Sequence, residues 1–171
     1  MGVFLVTGIG GTGKTTVCEA LQAQGVAAYD GDTIPGLARW EDARTGKPIS
    51  VDASQFVDYT KVAWNWQQLV FDQFLQQHQQ EQPLFLCGSA SNQHTFYDRF
   101  AHIFVLMVDP ATHNRRLAGR ASDYGKHPDM RKALVAGQQA FAAQAIAAGA
   151  TPIDATAPLA RIIQELHRYA A

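Results

Sequence analysis

An octapeptide near the N-terminus, Gly8-Ile9-Gly10-Gly11-Thr12-Gly13-Lys14-Thr15, sets the strongest limits on this chain. It follows the apolar run Val3-Phe4-Leu5-Val6. It opens a helical pattern, Lys14 to Gln24, that carries Val17, Ala20 and Leu21 on one face and stops at Gly25. The spacing is G-x-x-x-x-G-K-[ST], and its context of strand, turn and helix is the one that gives the spacing meaning. Glycines let the backbone wrap closely around a phosphate with N–H groups pointing inward. The following helix adds its positive end. Lys14 supplies a movable charge for the β- and γ-phosphates, and the Thr15 hydroxyl a ligand for Mg²⁺. The residues expected to hold ATP here are Gly8, Gly10, Gly11, Thr12, Gly13, Lys14, Thr15 and Thr16.

Beyond this turn, short apolar runs alternate with longer helical patterns. Strands are expected at Val3–Val6, Val26–Tyr29, Leu84–Cys87, Ile103–Val108 and Thr151–Ile153. Helices are expected near 14–24, 54–80, 110–120, 130–148 and 158–170. Continuous apolar runs suit strands buried on both faces. Strand–helix–strand repetition implies a parallel sheet. The expected fold is therefore a three-layer α/β/α domain spanning residues 1–171, with a five-stranded parallel sheet. Phe56 to Leu75 carries two apolar stripes at helical spacing, one through Phe56, Tyr59, Ala63, Trp66, Val70 and Phe74, the other through Val57, Trp64, Phe71 and Leu75. They predict one helix covered on two sides. For Trp64 and Trp66, core packing is the default, and stacking on a substrate ring is the alternative.

At 171 residues the chain fits one domain, able to bury roughly 70% of its unfolded surface. The net charge of -1 offers no basic footprint for nucleic acid and no field for a membrane surface. No apolar run approaches the roughly 20 residues that span a bilayer. The N-terminus lacks the basic and apolar regions of a signal peptide and leads straight into a strand, so a complete cytoplasmic chain, monomeric or homodimeric, is expected. Cys18 and Cys87 show no metal or disulfide spacing and are expected as buried thiols.

The third expected strand ends in Gly88-Ser89 with no acid, and Asn-Lys-x-Asp is absent, which weighs against a GTPase or a motor ATPase. The second strand ends instead in Tyr29-Asp30-Gly31-Asp32. An acid pair at that edge points toward the phosphate turn. One carboxylate, Asp30, is placed to hold Mg²⁺ with Thr15; the other, Asp32, to accept a proton from an attacking hydroxyl.

With these segments together, the sequence resembles P-loop kinases of the shikimate and gluconate kinase group. Asp30-Gly31-Asp32 with Gly46-Lys47-Pro48-Ile49, and Cys87-Gly88-Ser89-Ala90 with Tyr97-Asp98-Arg99, resemble gluconate kinases. Arg116-Leu117-x-x-Arg120 resembles the arginines that open the lid in the wider group. Ile153-Asp154-Ala155-Thr156 with Pro158 resembles the adenine-side loop of shikimate kinases. The resemblance implies ATP and Mg²⁺ as cofactors, Thr156 and Pro158 beside the nucleotide, and Gly88 beside the acceptor.

Arg115, Arg116 and Arg120, then Lys126, concentrate charge around the glycine-containing segment 119–129, which suits a short lid. Arg116 and Arg120 share a helix face and are expected to reach the transferring phosphoryl group. Arg39 and Arg44 follow the acid pair. They either hold an anionic acceptor or pair with Glu41 and Asp42. His78, His94, His102 and His113 show no partner arrangement and are expected as solvated or capping residues.

The expected activity is transfer of the γ-phosphoryl group of ATP to a hydroxyl of a small metabolite of sugar-acid or hydroxy-acid type. Lys14, Asp32, Arg116 and Arg120 are the expected catalytic residues. A nucleoside or nucleotide kinase is the first alternative, and an ATP-binding regulatory module without transfer the second.

Overall fold

A computed structural model describes residues 2–170. The elements run β1 (Val3–Thr7), α1 (Lys14–Ala23), β2 (Ala27–Asp30), β3 (Ala38–Asp42), β4 (Val62–Trp66), α2 (Gln68–Gln77) and β5 (Leu84–Cys87). A 3₁₀ segment (Gln93–Arg99) follows, then β6 (His102–Met107), α3 (Pro110–Ala118), α4 (Pro128–Ala147), β7 (Thr151–Asp154) and α5 (Leu159–Ala170).

Five strands pair in parallel in the order β2-β5-β1-β6-β7. Their side chains alternate between two cores, as the pleat requires. Phe4, Val6, Phe85, Phe104 and Leu106 pack on α1 and α5 through Val17, Leu21, Ile163 and Leu166. Leu5, Leu84, Leu86 and Val105 pack on the other face against Phe71 and Phe74 of α2, Ala142 and Ala145 of α4, and Phe96. Both faces are dry, so the strands read as unbroken apolar runs. The expected three-layer architecture is present. Cys18 and Cys87 are free and buried in the first core.

The long helix expected over 54–80 is not formed. Val62–Trp66 is a strand, antiparallel to β3 with Trp40 opposite Trp64 and Asp42 opposite Val62. Helix α2 begins only at Gln68. Val62, Trp64 and Trp66 also repeat every second residue, and a β-branched and aromatic trio fits a pleated surface better than a helix. The backbone partners decide the matter. The Trp66 N–H donates to the Asn92 side chain at 2.9 Å, the Asn92 amide returns a bond to the Trp66 carbonyl at 2.9 Å, and the Trp64 N–H donates to Ser91 Oγ at 3.1 Å. A helix would direct these groups along its own axis. Phe56 and Tyr59, placed on the expected stripe, are exposed, while Trp66 is 2% exposed in the core.

Helix α3 is capped by Asp109, whose carboxylate accepts from Thr112 N–H at 2.8 Å, with Pro110 at the first turn. Among the described residues no helix is long and apolar enough to cross a membrane.

Candidate active site

The glycine-rich turn joins β1 to α1 and lies at the C-terminal edge of the sheet, beside the ends of β2 and β5. Gly11 and Gly13 have φ of 91° and 107°, a region that side chains disfavour. A Cβ on Gly11 would sit 2.6 Å from Leu117 Cδ2, so α3 packs directly behind the turn. Gly8 is set back against the Leu106 backbone, where a Cβ would meet the Leu106 carbonyl at 3.1 Å.

A cavity of about 950 Å³ opens over this turn, large enough for a nucleotide and a small second substrate. Residues 10–16 of the turn and helix line one wall, and Asp30 and Asp32 the floor. Lys14 Nζ donates to the carbonyls of Gly8 at 2.6 Å and Ile9 at 3.4 Å. Burial lowers its pKa from 10.5 to about 8, helped by Arg120 and opposed by Asp32, Asp30 and Cys87.

Thr15 Oγ1 donates to the Asp30 carboxylate at 2.8 Å. The other Asp30 oxygen accepts from the Asp32 N–H at 3.0 Å. The turn between the two acids fits because Gly31 packs on Gly88, where a Cβ would meet Gly31 Cα at 3.5 Å. Gly88 thus shapes the acid turn from behind, and its neighbour Ser89 lines the cavity. Asp32 accepts from Trp64 Nε1 at 3.3 Å. Burial raises its pKa, with Asp30 adding to that effect and Lys14, Trp64 and Arg120 opposing it.

Thr15 and Asp30 form the pair suited to Mg²⁺. Among the described residues no cluster of three His, Cys, Asp or Glu could hold a metal alone. That fits Mg²⁺, which keeps water and substrate phosphate in its shell.

Arg120 lies over Tyr124 at 5.8 Å from the ring centroid, and its Nη1 is buried without a hydrogen-bond partner. This atom approaches Gly10: a Cβ there would be 3.6 Å from it and 2.8 Å from Tyr124 Cε1. A buried guanidinium nitrogen lacking an acceptor is costly, and a phosphate on the turn would supply one. Arg116 is engaged differently. It donates to the Thr12 carbonyl at 3.2 Å and the Ala155 carbonyl at 2.8 Å, tying the phosphate turn to the β7–α5 loop.

The remaining expected contacts lie elsewhere. Arg39 pairs with Glu41 at 2.7 Å, and Glu41 also accepts from Asn65 and Gln67. Arg44 is exposed in the segment after β3, off the cavity wall. Thr156 donates from both N–H and hydroxyl to Asp154. Neither it nor Pro158 lines the cavity, which is lined at that end by Ala155, Ala157, Leu159 and Ile162. An apolar slot of this kind suits an adenine face.

His113 departs from the solvated role expected for it. It is 0% exposed, and its Nε2 lies 2.7 Å from the Gly10 carbonyl. Gln138 stands 3.4 Å from its Nδ1 and bonds both the N–H and the carbonyl of Val108, at 2.7 and 2.9 Å. Burial lowers the His113 pKa, so the neutral ring donates to Gly10 and accepts from Gln138. Helices α3 and α4 thereby brace the phosphate turn. The only trace of this in the sequence is an i+4 step from the Asp109 cap, which looks like any helix.

Comparison with curated proteins finds no match. Among solved structures, a gluconokinase from Sinorhizobium meliloti 1021 superposes with a TM-score of 0.53 at 17% identity, covering 99% of this chain and 93% of that one. An unliganded sugar kinase from Janibacter sp. HTCC2649 superposes with a TM-score of 0.55 at 13% identity, covering 99% and 94%. At these identities the likeness is one of fold. Residues 5–136 match the family described as an AAA domain, and the chain belongs to that family, built on the P-loop fold that small-molecule kinases of the gluconate kinase type share.

Proposed function

We propose that the protein transfers the γ-phosphoryl group of Mg²⁺·ATP to a hydroxyl of a small metabolite. One observation carries the reading. A phosphate turn, a Thr15–Asp30 pair and a second carboxylate, Asp32, converge on one cavity. A protein that only bound nucleotide would have no use for Asp32.

Residues 10–16 cradle the phosphates, and Lys14 moves from the Gly8 carbonyl to a phosphate oxygen. Thr15 and Asp30 would hold Mg²⁺, which would offset charge on the phosphates. Asp32 orients the acceptor hydroxyl and takes its proton as the new O–P bond forms. The bond to the β–γ bridging oxygen breaks, and ADP leaves with its electron pair. A carboxyl held above its ordinary range is a better proton acceptor near neutrality. Arg120, on the segment 119–129 acting as a lid, meets the equatorial oxygens, while Arg116 holds the turn against the adenine loop. Positioning and electrostatics supply most of the acceleration.

The test is ADP release, read by a coupled assay with and without pooled hydroxyl compounds. Acceptor-dependent release is expected. No ADP release with any pool, with intact ATP binding, would leave only the binding module.

A further inference from the structure

The half of the cavity beyond Asp32 is walled by aromatic rings. Trp40 and Trp64 pack with centroids 5.0 Å apart, tilted 53°, and Trp40 and Tyr59 at 5.8 Å, tilted 48°. Tyr59 reaches the lid segment through a 2.8 Å contact between its hydroxyl and that of Tyr124. All four residues line the cavity. The Trp64 backbone is clamped on both sides, its N–H to Ser91 Oγ at 3.1 Å and its carbonyl by the Ser91 N–H at 2.7 Å. With its indole N–H on Asp32 at 3.3 Å and its ring against Trp40, the side chain is set in place before any ligand arrives.

The charges in this half are equally specific. Among the described residues, the basic side chains on the cavity wall are Lys14, Arg116 and Arg120. Lys14 and Arg120 serve the phosphate turn, and Arg116 is held by two carbonyls. Arg39 is neutralised by Glu41. What faces an acceptor is Asp32, with Asp30 behind it, and ring faces that carry negative quadrupole charge. An acidic acceptor would set like charge against like, with the cations nearest Asp32, Lys14 and Arg120, already drawn to the phosphate turn, a cost of several-fold to many-fold in affinity.

Resting on the transfer reading above, we infer that the acceptor is a hydroxylated ring compound with no acidic group. It lies with one face on Trp64 and Trp40 and its reacting hydroxyl on Asp32. Neutral sugars, amino sugars and nucleosides share this chemistry; sugar acids and nucleoside monophosphates do not.

The experiment uses the full chain with Mg²⁺·ATP and four matched pools: neutral sugars, amino sugars, nucleosides, and the corresponding sugar acids with nucleoside monophosphates. ADP release in one of the first three pools, and at least about tenfold less in the acidic pool, is expected. The pool that responds identifies the source. Turnover confined to the acidic pool overturns the inference and leaves phosphoryl transfer standing. No acceptor-dependent turnover in any pool removes the transfer reading and this inference with it. For the responding compound, Trp40→Ala is expected to raise acceptor KM about tenfold with ATP KM unchanged, the loss of one stacked face. Trp64→Phe, which keeps a face and loses the N–H to Asp32, should lower kcat more than it raises acceptor KM. An acceptor KM within about twofold of wild type in Trp40→Ala overturns the stacking assignment.

Discussion

Raising the pH from 7 to 9 is expected to weaken nucleotide binding about tenfold, and Lys14 is the group responsible. Its pKa is near 8 in the free protein because the ammonium is buried at the turn, with Arg120 nearby. A bound triphosphate favours the charged form and lifts the pKa back toward its ordinary 10.5. Only charged Lys14 binds phosphate well, so affinity follows its charged fraction: about nine-tenths at pH 7, about one-half at pH 8 and about one-tenth at pH 9. The second ionisation of a phosphate, near 6, lies below this window. Titration calorimetry with Mg²⁺ and a non-hydrolysable ATP analogue, run in buffers of different ionisation enthalpy, measures both consequences. Affinity should fall between pH 7 and 9, and about half a proton should be taken up per nucleotide at pH 8. Asp30, Asp32 and the buried thiols Cys18 and Cys87 also surround the site, so a control is needed. Lys14→Arg keeps a charge that does not titrate here, and its pH slope should vanish even if its affinity is lower. A wild-type affinity constant within about twofold from pH 7 to 9, or an equal slope in Lys14→Arg, would refute the reasoning.

Asp32→Asn should reduce acceptor phosphorylation by about 10²–10⁴, the usual contribution of a general base, with ATP affinity near wild type by calorimetry. Asp30→Asn removes the charge and turns one of the two accepting oxygens into an amide donor; the Mg²⁺ concentration for half-maximal rate should rise, and an unchanged metal curve would remove Asp30 from the metal site. His113→Phe leaves the Gly10 carbonyl without its donor, so denaturant unfolding should show a loss of about 1–3 kcal/mol and ATP KM should rise. His113 is buried neutral with its pKa below the ordinary 6.5; the unfolded chain therefore binds more protons, and wild-type stability should fall as pH drops below about 6.5, less steeply in the Phe variant. Mg²⁺ with an ATP analogue at about 100 times its dissociation constant should add roughly 2.7 kcal/mol of stability, seen as a higher Tm.

The layered sheet and the phosphate turn were legible because both rest on local rules. Unbroken apolar strands such as Leu84–Cys87 demand cover on two faces, and Gly13-Lys14-Thr15 after a strand leaves the backbone few alternatives. The acid turn was legible for the same reason: Asp30 ends a strand at the sheet edge where Thr15 also lies, and the two meet at 2.8 Å. The aromatic half of the cavity was not legible. Val62–Trp66 fits both a period of two and a helical stripe, and only partners distant in sequence, β3 on one side and Ser91 and Asn92 on the other, claim its backbone as a strand. That choice moves Trp64 onto Asp32 and sends Trp66 into the core. For Arg39 the sequence left an anionic acceptor and a pairing with Glu41 or Asp42 both open; the structure pairs it with Glu41, which Asn65 and Gln67 hold from the far side of the strand pair. His113 carried no mark of its own, because its partners Gly10 and Gln138 lie 103 and 25 residues away. Local backbone constraint and the two-sided burial of strands are written in neighbouring residues. Which polar group satisfies which, across a cavity, is set by long-range packing and is decided only in the tertiary structure.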